Sequence, residues 1–380
     1  MKKIYYITAV FATLFLVGCG DGIDLPGVNV ETDLNKIPLP DNNVNLEQVE
    51  LKPSTEPMLH EGLHTEEDFQ RIRDKKAAGE EPWVSAYQLL VESQFSQKTA
   101  DTYPTEWIKR GISGDENYMN TARGATIVYQ QALRWKIEQD DEYAAKAVEN
   151  LNKWVQTCVG VTGNTNLSLA AGLYGYEFAI AGELLRDYEG WDRADFAAFQ
   201  NWLLKAFYPA NDDFLKRHHD TNALHYWANW CLCNIAAKMA IGIVTDRRDI
   251  YNEGIGHLQT GDTNGRLRRA IYHDYAPDYN FAQWQESGRD QGHTLMCVGL
   301  MGIICQLAWS QGDDFFAYDD NLFLRACEYA ACCNYTNETV PYTTYIWQKQ
   351  SQWGYPIPEE QTTLGGGKWI KRAIWALPYY

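Results

Sequence analysis

Between residues 286 and 293 the chain reads Glu286-Ser287-Gly288-Arg289-Asp290-Gln291-Gly292-His293. A carboxylate, a guanidinium, a second carboxylate and an imidazole so close together can neutralise an anion, orient it and move a proton. If the run is helical and continues into the apolar stretch Leu295 to Trp309, then Glu286, Arg289, Asp290 and His293 fall at i, i+3, i+4 and i+7 on one face. That face is expected to be the buried one. Four ionisable groups there are costly unless they pair or line a wet cleft, and titratable groups gathered in a cleft mark a candidate functional site. Gly288 and Gly292 remove side chains from a neighbouring face, so a ligand or another backbone can come close. The competing reading of the same face is a structural ion-pair network.

A second polar stripe has the same spacing. In Asn222-Ala223-Leu224-His225-Tyr226-Trp227-Ala228-Asn229-Trp230, the residues Asn222, His225, Tyr226 and Asn229 again stand at i, i+3, i+4 and i+7. Either asparagine alone is equally well a hydrogen-bonding core residue. Two polar helix faces together suit the walls of one cleft.

The elements that must position these stripes are helices. Helix-period segments run over about 117–139, 142–156, 167–187, 193–207, 221–244, 248–259, 289–310 and 321–333, and Thr65 is placed to cap an earlier helix rich in first-turn acids. Short breaks such as Tyr188-Glu189-Gly190 and Gln311-Gly312-Asp313-Asp314 make antiparallel helical hairpins the natural unit. The expected fold is all-α, an α/α toroid built as an incomplete barrel of such hairpins around a central cleft. The less regular tail, Thr339 to Tyr380, has the Gly, Pro and aromatic content of loops that cover a cleft.

Residues 1–18 read as an export signal, with Lys2 and Lys3 ahead of a short apolar run that ends in Leu16-Val17-Gly18-Cys19. Residues 19–57 lack helical period and large apolar groups and read as a spacer, which leaves 58–380 as one domain. Eight cysteines follow Cys19 without a C-x-x-C pair, so small buried hydrophobes are expected rather than a zinc clamp. The formal net charge is -17. That surface repels nucleic acid, and any polyanion must find a locally cationic site. The 14 Trp and 24 Tyr suit both a core and sugar-ring stacking.

Three stretches carry a family resemblance: Gln285 to Thr294, the Asn229-Trp230 pair, and Trp309 to Asp314 followed by Val340-Pro341-Tyr342-Thr343-Thr344-Tyr345. From about His60 onward the chain resembles the alginate-lyase-like polysaccharide lyases with helical toroid folds. It departs from the best-known alginate lyases, where Asn and His are adjacent on one helix; here His225 is three residues after Asn222. The start resembles a bacterial lipoprotein signal, which implies cleavage before Cys19, lipid on Cys19, and an exported protein held at the outer membrane.

The resemblance implies β-elimination of a 1,4-linked uronate polymer, alginate or glucuronan. Removing the C5 proton builds charge on the adjoining carboxylate, which calls for donors of the type of Asn222, Asn229 and Arg289, or a protonated Glu286. A base for that proton and an acid for the departing O4 suit His293 and Tyr345, with Tyr272 or Tyr275 as substitutes in a segment that resembles the Arg-to-Tyr stretch of other alginate lyases. His225, Trp227, Trp284, Tyr272 and Gln291 are expected against the sugar. The chemistry requires no cofactor, although a structural or bound divalent metal stays open, with Glu286, Asp290 and His293 as its ligands at i, i+4 and i+7. Two other classes compete. A toroid glycoside hydrolase would use Glu286 and Asp290 across the bond. A non-catalytic surface lipoprotein would capture glycan with aromatics alone.

Overall fold

The computed structural model describes residues 54–351 and 353–368. The export signal, Cys19 and most of the spacer lie outside the described residues. In chain order the elements are α1 (Glu66–Ala77), α2 (Trp83–Glu92), β1 (Trp107–Arg110), α3 (Tyr118–Glu138), α4 (Asp141–Thr157), β2 (Gly160–Gly163), α5 (Leu167–Leu185), α6 (Arg193–Ala206), α7 (Tyr208–Arg217), α8 (Ala228–Val244), α9 (Arg248–Thr260), the single turn α10 (Leu267–Ala270), β3 (Ile271–Asp274), β4 (Ala282–Trp284), α11 (Gln291–Trp309), α12 (Tyr318–Tyr335), β5 (Tyr345–Trp347) and β6 (Glu359–Gln361). The strands form only two-stranded pairs. The fold is an all-α toroid, as the sequence pattern predicts.

Four helices, α3, α5, α8 and α11, make the inner wall, each packed on the next. Their sequences explain the placement. Every residue of α8 is buried, as are nearly all of α5 and α11, and a helix apolar on all sides belongs in a core. In α4 the buried positions, such as Ala144, Ala147, Val148 and Leu151, form one stripe that docks on the inner layer. Helix α11 is long and apolar enough to cross a membrane, but it is the buried inner wall of this domain. Close approach of α5 to α8 depends on Gly172, where a Cβ would stand 2.5 Å from Cys233 Sγ. The eight cysteines are free thiols, seven of them buried, in keeping with their reading as small hydrophobes.

Thr65 caps α1 in a capping box with Asp68. Three expectations need correction. Ser54 to Pro57, read as the end of the spacer, already belong to the fold: the carbonyls of Ser54, Glu56 and Pro57 accept hydrogen bonds from Asn252 and Arg248 on α9. Helix α8 begins at Ala228 rather than Thr221. His218, His219 and Asp220 have φ near +50 to +61 and break the helical path, and Asn222 Oδ1 then accepts from Leu224 N, a local turn that competes with helix. Helix α11 begins at Gln291, with Asp290 as its N-cap. Neither polar stripe is therefore a helix face, and each is instead a turn followed by a helix start.

Candidate active site

The inner helices bring their N-termini to one end of the molecule. Ser168 Oγ of α5 lies 2.9 Å from His219 Nε2 in the loop before α8, and Asn229 N of α8 lies 3.1 Å from Glu286 Oε1 in the turn before α11. The N-termini of α3 and α5 carry neither a capping side chain nor an acid in the first turn, whereas α4 and α6, on the outside, begin with capping aspartates and further acids. Unsatisfied N–H groups and helix dipoles favour anions. At this end of an acidic protein, the mouth, the starts of α3 and α5 are left without a capping carboxylate of their own.

Glu286 is fully buried there, and the start of α8 explains why. The helix opens at Trp227, whose side chain makes no capping hydrogen bond, so its first N–H groups take partners from another element. Ala228 N donates to Gln285 Oε1, and Asn229 N and Nδ2 both donate to Glu286 Oε1. Glu286 Oε2 receives no hydrogen bond, and Arg289 Nη1 stands 3.6 Å from it. The Arg289 guanidinium lies over the Trp227 ring at 5.3 Å, a cation–π contact that holds the fork flat without using its N–H groups. One turn further on, Asp290 accepts from His293 N at 2.7 Å and pairs with His293 Nδ1 at 2.6 Å. Burial pushes the Asp290 carboxyl up, but these hydrogen bonds and the nearby Arg289 outweigh it and hold the group below its ordinary value. An ionised Asp290 only accepts, so Nδ1 carries the proton and Nε2 the lone pair. Asp290, read in the sequence as a member of the polar face, a hydrolase carboxylate or a metal ligand, is instead the residue that fixes the histidine tautomer. Its signal was present in the three-residue spacing to His293 at a helix start.

The tail closes over this turn. Gly365 N donates to Ser287 O, and Gln291 N donates to Gly366 O. A Cβ on Gly288 would stand 2.6 Å from the Tyr342 hydroxyl and 3.1 Å from that of Tyr345. Tyr345, expected as an acid or base, lies against this turn. Its hydroxyl donates to Gln285 O and accepts from Gly288 N, so it braces the turn, and burial pushes its pKa far up.

Several expected contacts are placed elsewhere. Trp284 is fully buried with Nε1 bonded to Ala326 O, so it is a core residue and not a sugar platform. Gln291 is buried between Gly365 O and Asn334 Nδ2. Tyr272 packs its ring 4.6 Å from Tyr345 beneath the turn, and Tyr275 donates to Gln283 Oε1. Asn222 Nδ2 donates to Gln348 O, and His225 Nδ1 accepts from Gln350 N while its ring stacks on Trp347. These two residues anchor the tail. Burial lowers the His225 pKa to about 4, so the ring is neutral. Trp227 is largely buried and serves the site through Arg289.

The same geometry answers two competing readings. Glu286 and Asp290 both lie against Arg289, at 3.6 and 4.0 Å, and so do not face each other across a bond as a hydrolase pair requires. The helical spacing behind the metal reading is lost because α11 starts after Asp290, and among the described residues no three His, Cys, Asp or Glu groups gather as ligands.

The alginate lyase family model matches residues 73–338. The chain belongs to the alginate lyase family. It is a polysaccharide lyase. Among curated proteins none matches it in sequence. The alginate lyase fold recurs in a histidine-to-alanine variant of alginate lyase A1-III in complex with a tetrasaccharide, with TM-score 0.57 and 14% identity over 75% of this chain and 82% of the other. The apo form of that variant gives 0.52 at 13% identity over 75% and 83%, and A1-III comes from Sphingomonas species A1. An alginate lyase from Bacteroides ovatus is similar at 14% identity over 70% and 82%, with TM-score 0.49.

Proposed function

We propose that this lyase cleaves a 1,4-linked polyuronate, alginate or glucuronan, by β-elimination at the Glu286 to His293 turn. The observation that carries the reading is the His293–Asp290 pair one turn from a buried Glu286–Asn229–Arg289 group. In this reading Arg289 and Asn229 face the uronate carboxylate, and Glu286 positions both. Their donors are fixed before charge builds during C5 deprotonation, so they stabilise the transition state without reorganising. His293 Nε2 takes the C5 proton, and Asp290 stabilises the imidazolium that forms. The imidazolium then supplies the proton that the departing O4 needs. Tyr345 keeps the turn in shape. No step calls for a cofactor.

The test is to incubate the purified domain with alginate, glucuronan and a neutral glycan, following ultraviolet absorbance of unsaturated product and new reducing ends together. Elimination gives both signals on a polyuronate. Reducing ends without absorbance would mean hydrolysis, and binding with neither signal would mean glycan capture. We also propose that Cys19 carries lipid and tethers the exported domain to the outer membrane, because a short apolar run after two lysines ends at Leu16-Val17-Gly18-Cys19. Metabolic lipid labelling of the wild type, lost in Cys19→Ser together with membrane association, tests that reading. Unlabelled wild type overturns it.

A further inference from the structure

Five arginines are buried among the described residues: Arg110, Arg134, Arg186, Arg268 and Arg325. Four have a carboxylate partner, in Glu138, Glu183, Asp319 and Asp274 respectively. Arg110 does not. It is 4% exposed, its Nη1 is buried without a hydrogen bond, and its guanidinium rests over the Tyr118 ring at 4.7 Å. A buried cation with only a ring face for company is costly, and this chain holds 50 acidic residues from which a partner could have come. Its place in the fold says what repays the cost. Arg110 ends β1, whose parallel pairing with β2 sets it opposite Gly163, and both strands lead into the N-termini of α3 and α5 that lack caps and acids. The strand that carries Arg110 packs against both α3 and α5, and the Arg110 charge offsets part of the rise that burial imposes on the Tyr174 hydroxyl of α5 and the Cys233 thiol of α8. Cys233 is one helical turn, about 6 Å, beyond Asn229. The unpaired arginine therefore lies with the Glu286 turn at the N-terminal end of the inner helices, and among the described residues no hydrogen bond or ion pair joins the two.

We propose that Arg110 forms a second carboxylate-binding subsite, which holds a uronate unit other than the one being cleaved. The proposal rests on the polyuronate reading for the identity of its ligand. A guanidinium fork matches a carboxylate with two parallel hydrogen bonds, and a subsite away from the bond contributes binding without chemistry.

The experiment compares Arg110→Met and Arg110→Lys with the wild type, each also combined with His293→Ala so that binding is read without turnover. The probes are a uronate tetrasaccharide and its carboxyl-reduced counterpart, titrated calorimetrically. Arg110→Met is expected to lower affinity for the acidic tetrasaccharide about tenfold to a hundredfold, to leave the neutral one unchanged, and to raise KM with little change in kcat. Lys is expected to restore part of the loss, and Tm should hold or rise in Arg110→Met, since an uncompensated buried charge is removed. Equal affinity for the acidic probe in Arg110→Met and wild type overturns the proposal. So does a fall in Tm with both probes weakened alike, the mark of a structural arginine. If the wild type makes no unsaturated product while acidic binding still depends on Arg110, the lyase reading fails and the subsite stands.

Discussion

Two arginines of this protein, Arg186 buried and Arg289 half-buried, each lie beside two carboxylates, at opposite ends of the inner helices, and they are built differently. At the C-terminal end of α5, Arg186 makes hydrogen bonds to Glu183 at 2.8 to 3.1 Å, to Asp246 at 3.2 Å, and to the carbonyls of Ile243 and Val244. At the mouth, Arg289 stands 3.6 Å from Glu286 and 4.0 Å from Asp290, both beyond hydrogen-bonding distance, and Glu286 Oε2 receives no hydrogen bond at all. The residue types are the same; what differs is that one carboxylate oxygen at the mouth, Glu286 Oε2, is buried without a hydrogen bond. A buried network with every group satisfied fixes a fold, whereas a buried carboxylate oxygen left without a donor marks a place where a further group can be received. The chain also spends its other polar groups at the mouth on holding the loose cluster still, through Asn229, Trp227, Tyr345 and the Gly365 strap.

This contrast is open to attack by mutation, and the largest effect is expected at the mouth. His293→Ala should lower kcat by about 10²- to 10⁴-fold, the usual contribution of a proton-transfer group, with Tm and substrate affinity near those of the wild type. A folded variant of near-normal activity would remove His293 from the chemistry. The opposite profile is expected at the other end. Glu183→Ala strands a buried charge and should cost about 3–5 kcal/mol of stability, read by chemical denaturation, while the folded fraction keeps its kcat. Loss of kcat without loss of stability there would erase the distinction between the two ends.

Arg289→Lys sharpens the comparison because it keeps the charge and discards the fork. If the arginine tightens on the carboxylate as charge builds, kcat falls more than KM rises, and Tm moves little. A destabilised but fully active Arg289→Lys enzyme would make the mouth cluster structural, like that of Arg186. The smallest effect is on the pH dependence of stability. Burial lowers the pKa of His64, His218, His225 and His257 from 6.5 to about 4. Between those values the unfolded chain binds protons that the folded one does not, so their contribution is complete above pH 6.5 and is lost as pH falls towards 4. Glu177 acts in the other direction. Burial raises it from 4.5 to about 8, so the folded state holds a proton that the unfolded chain releases, and stability falls as pH rises through that window. Tm is expected to peak near pH 6.5, and Glu177→Gln should flatten the decline towards pH 8. An unchanged profile in that variant would mean that the buried carboxyl does not titrate as described.

Much of this was legible in the residues. Helical period located most of the inner and outer helices, because a core helix must be apolar whatever it packs against, but it began α8 seven residues early and gave no segment for α2 or α7. The Glu286 to His293 run was legible as chemistry because ionisable groups so close together next to an apolar stretch need a reason. Its geometry was not. Periodicity extends a helix backwards through any residues that fit, and it has no knowledge that Asp290 prefers to cap α11 or that Asn222 prefers to fold back on Leu224. The aromatic residues were the least legible. Trp284 and Trp227 look alike in sequence, yet one lies in the core and the other beneath Arg289.

The sequence by itself therefore determined the class of fold, most of the long helices and the residue types available for proton transfer, since these follow from local spacing and from composition. Which of those residues meet was decided only by the tertiary structure. Asn229 reaches Glu286 because α8 lacks a cap of its own, and Tyr345 reaches Gln285 because the tail crosses the mouth. Arg110 is left without a carboxylate because the acids between β1 and α3 are taken, Asp115 by Lys109 and Glu116 by Gly111 N, and the first turns of α3 and α5 hold none. Each of these is a long-range pairing of a polar group that its own neighbours in sequence could not satisfy, and the physical demand that buried polar groups find partners is met by the fold as a whole.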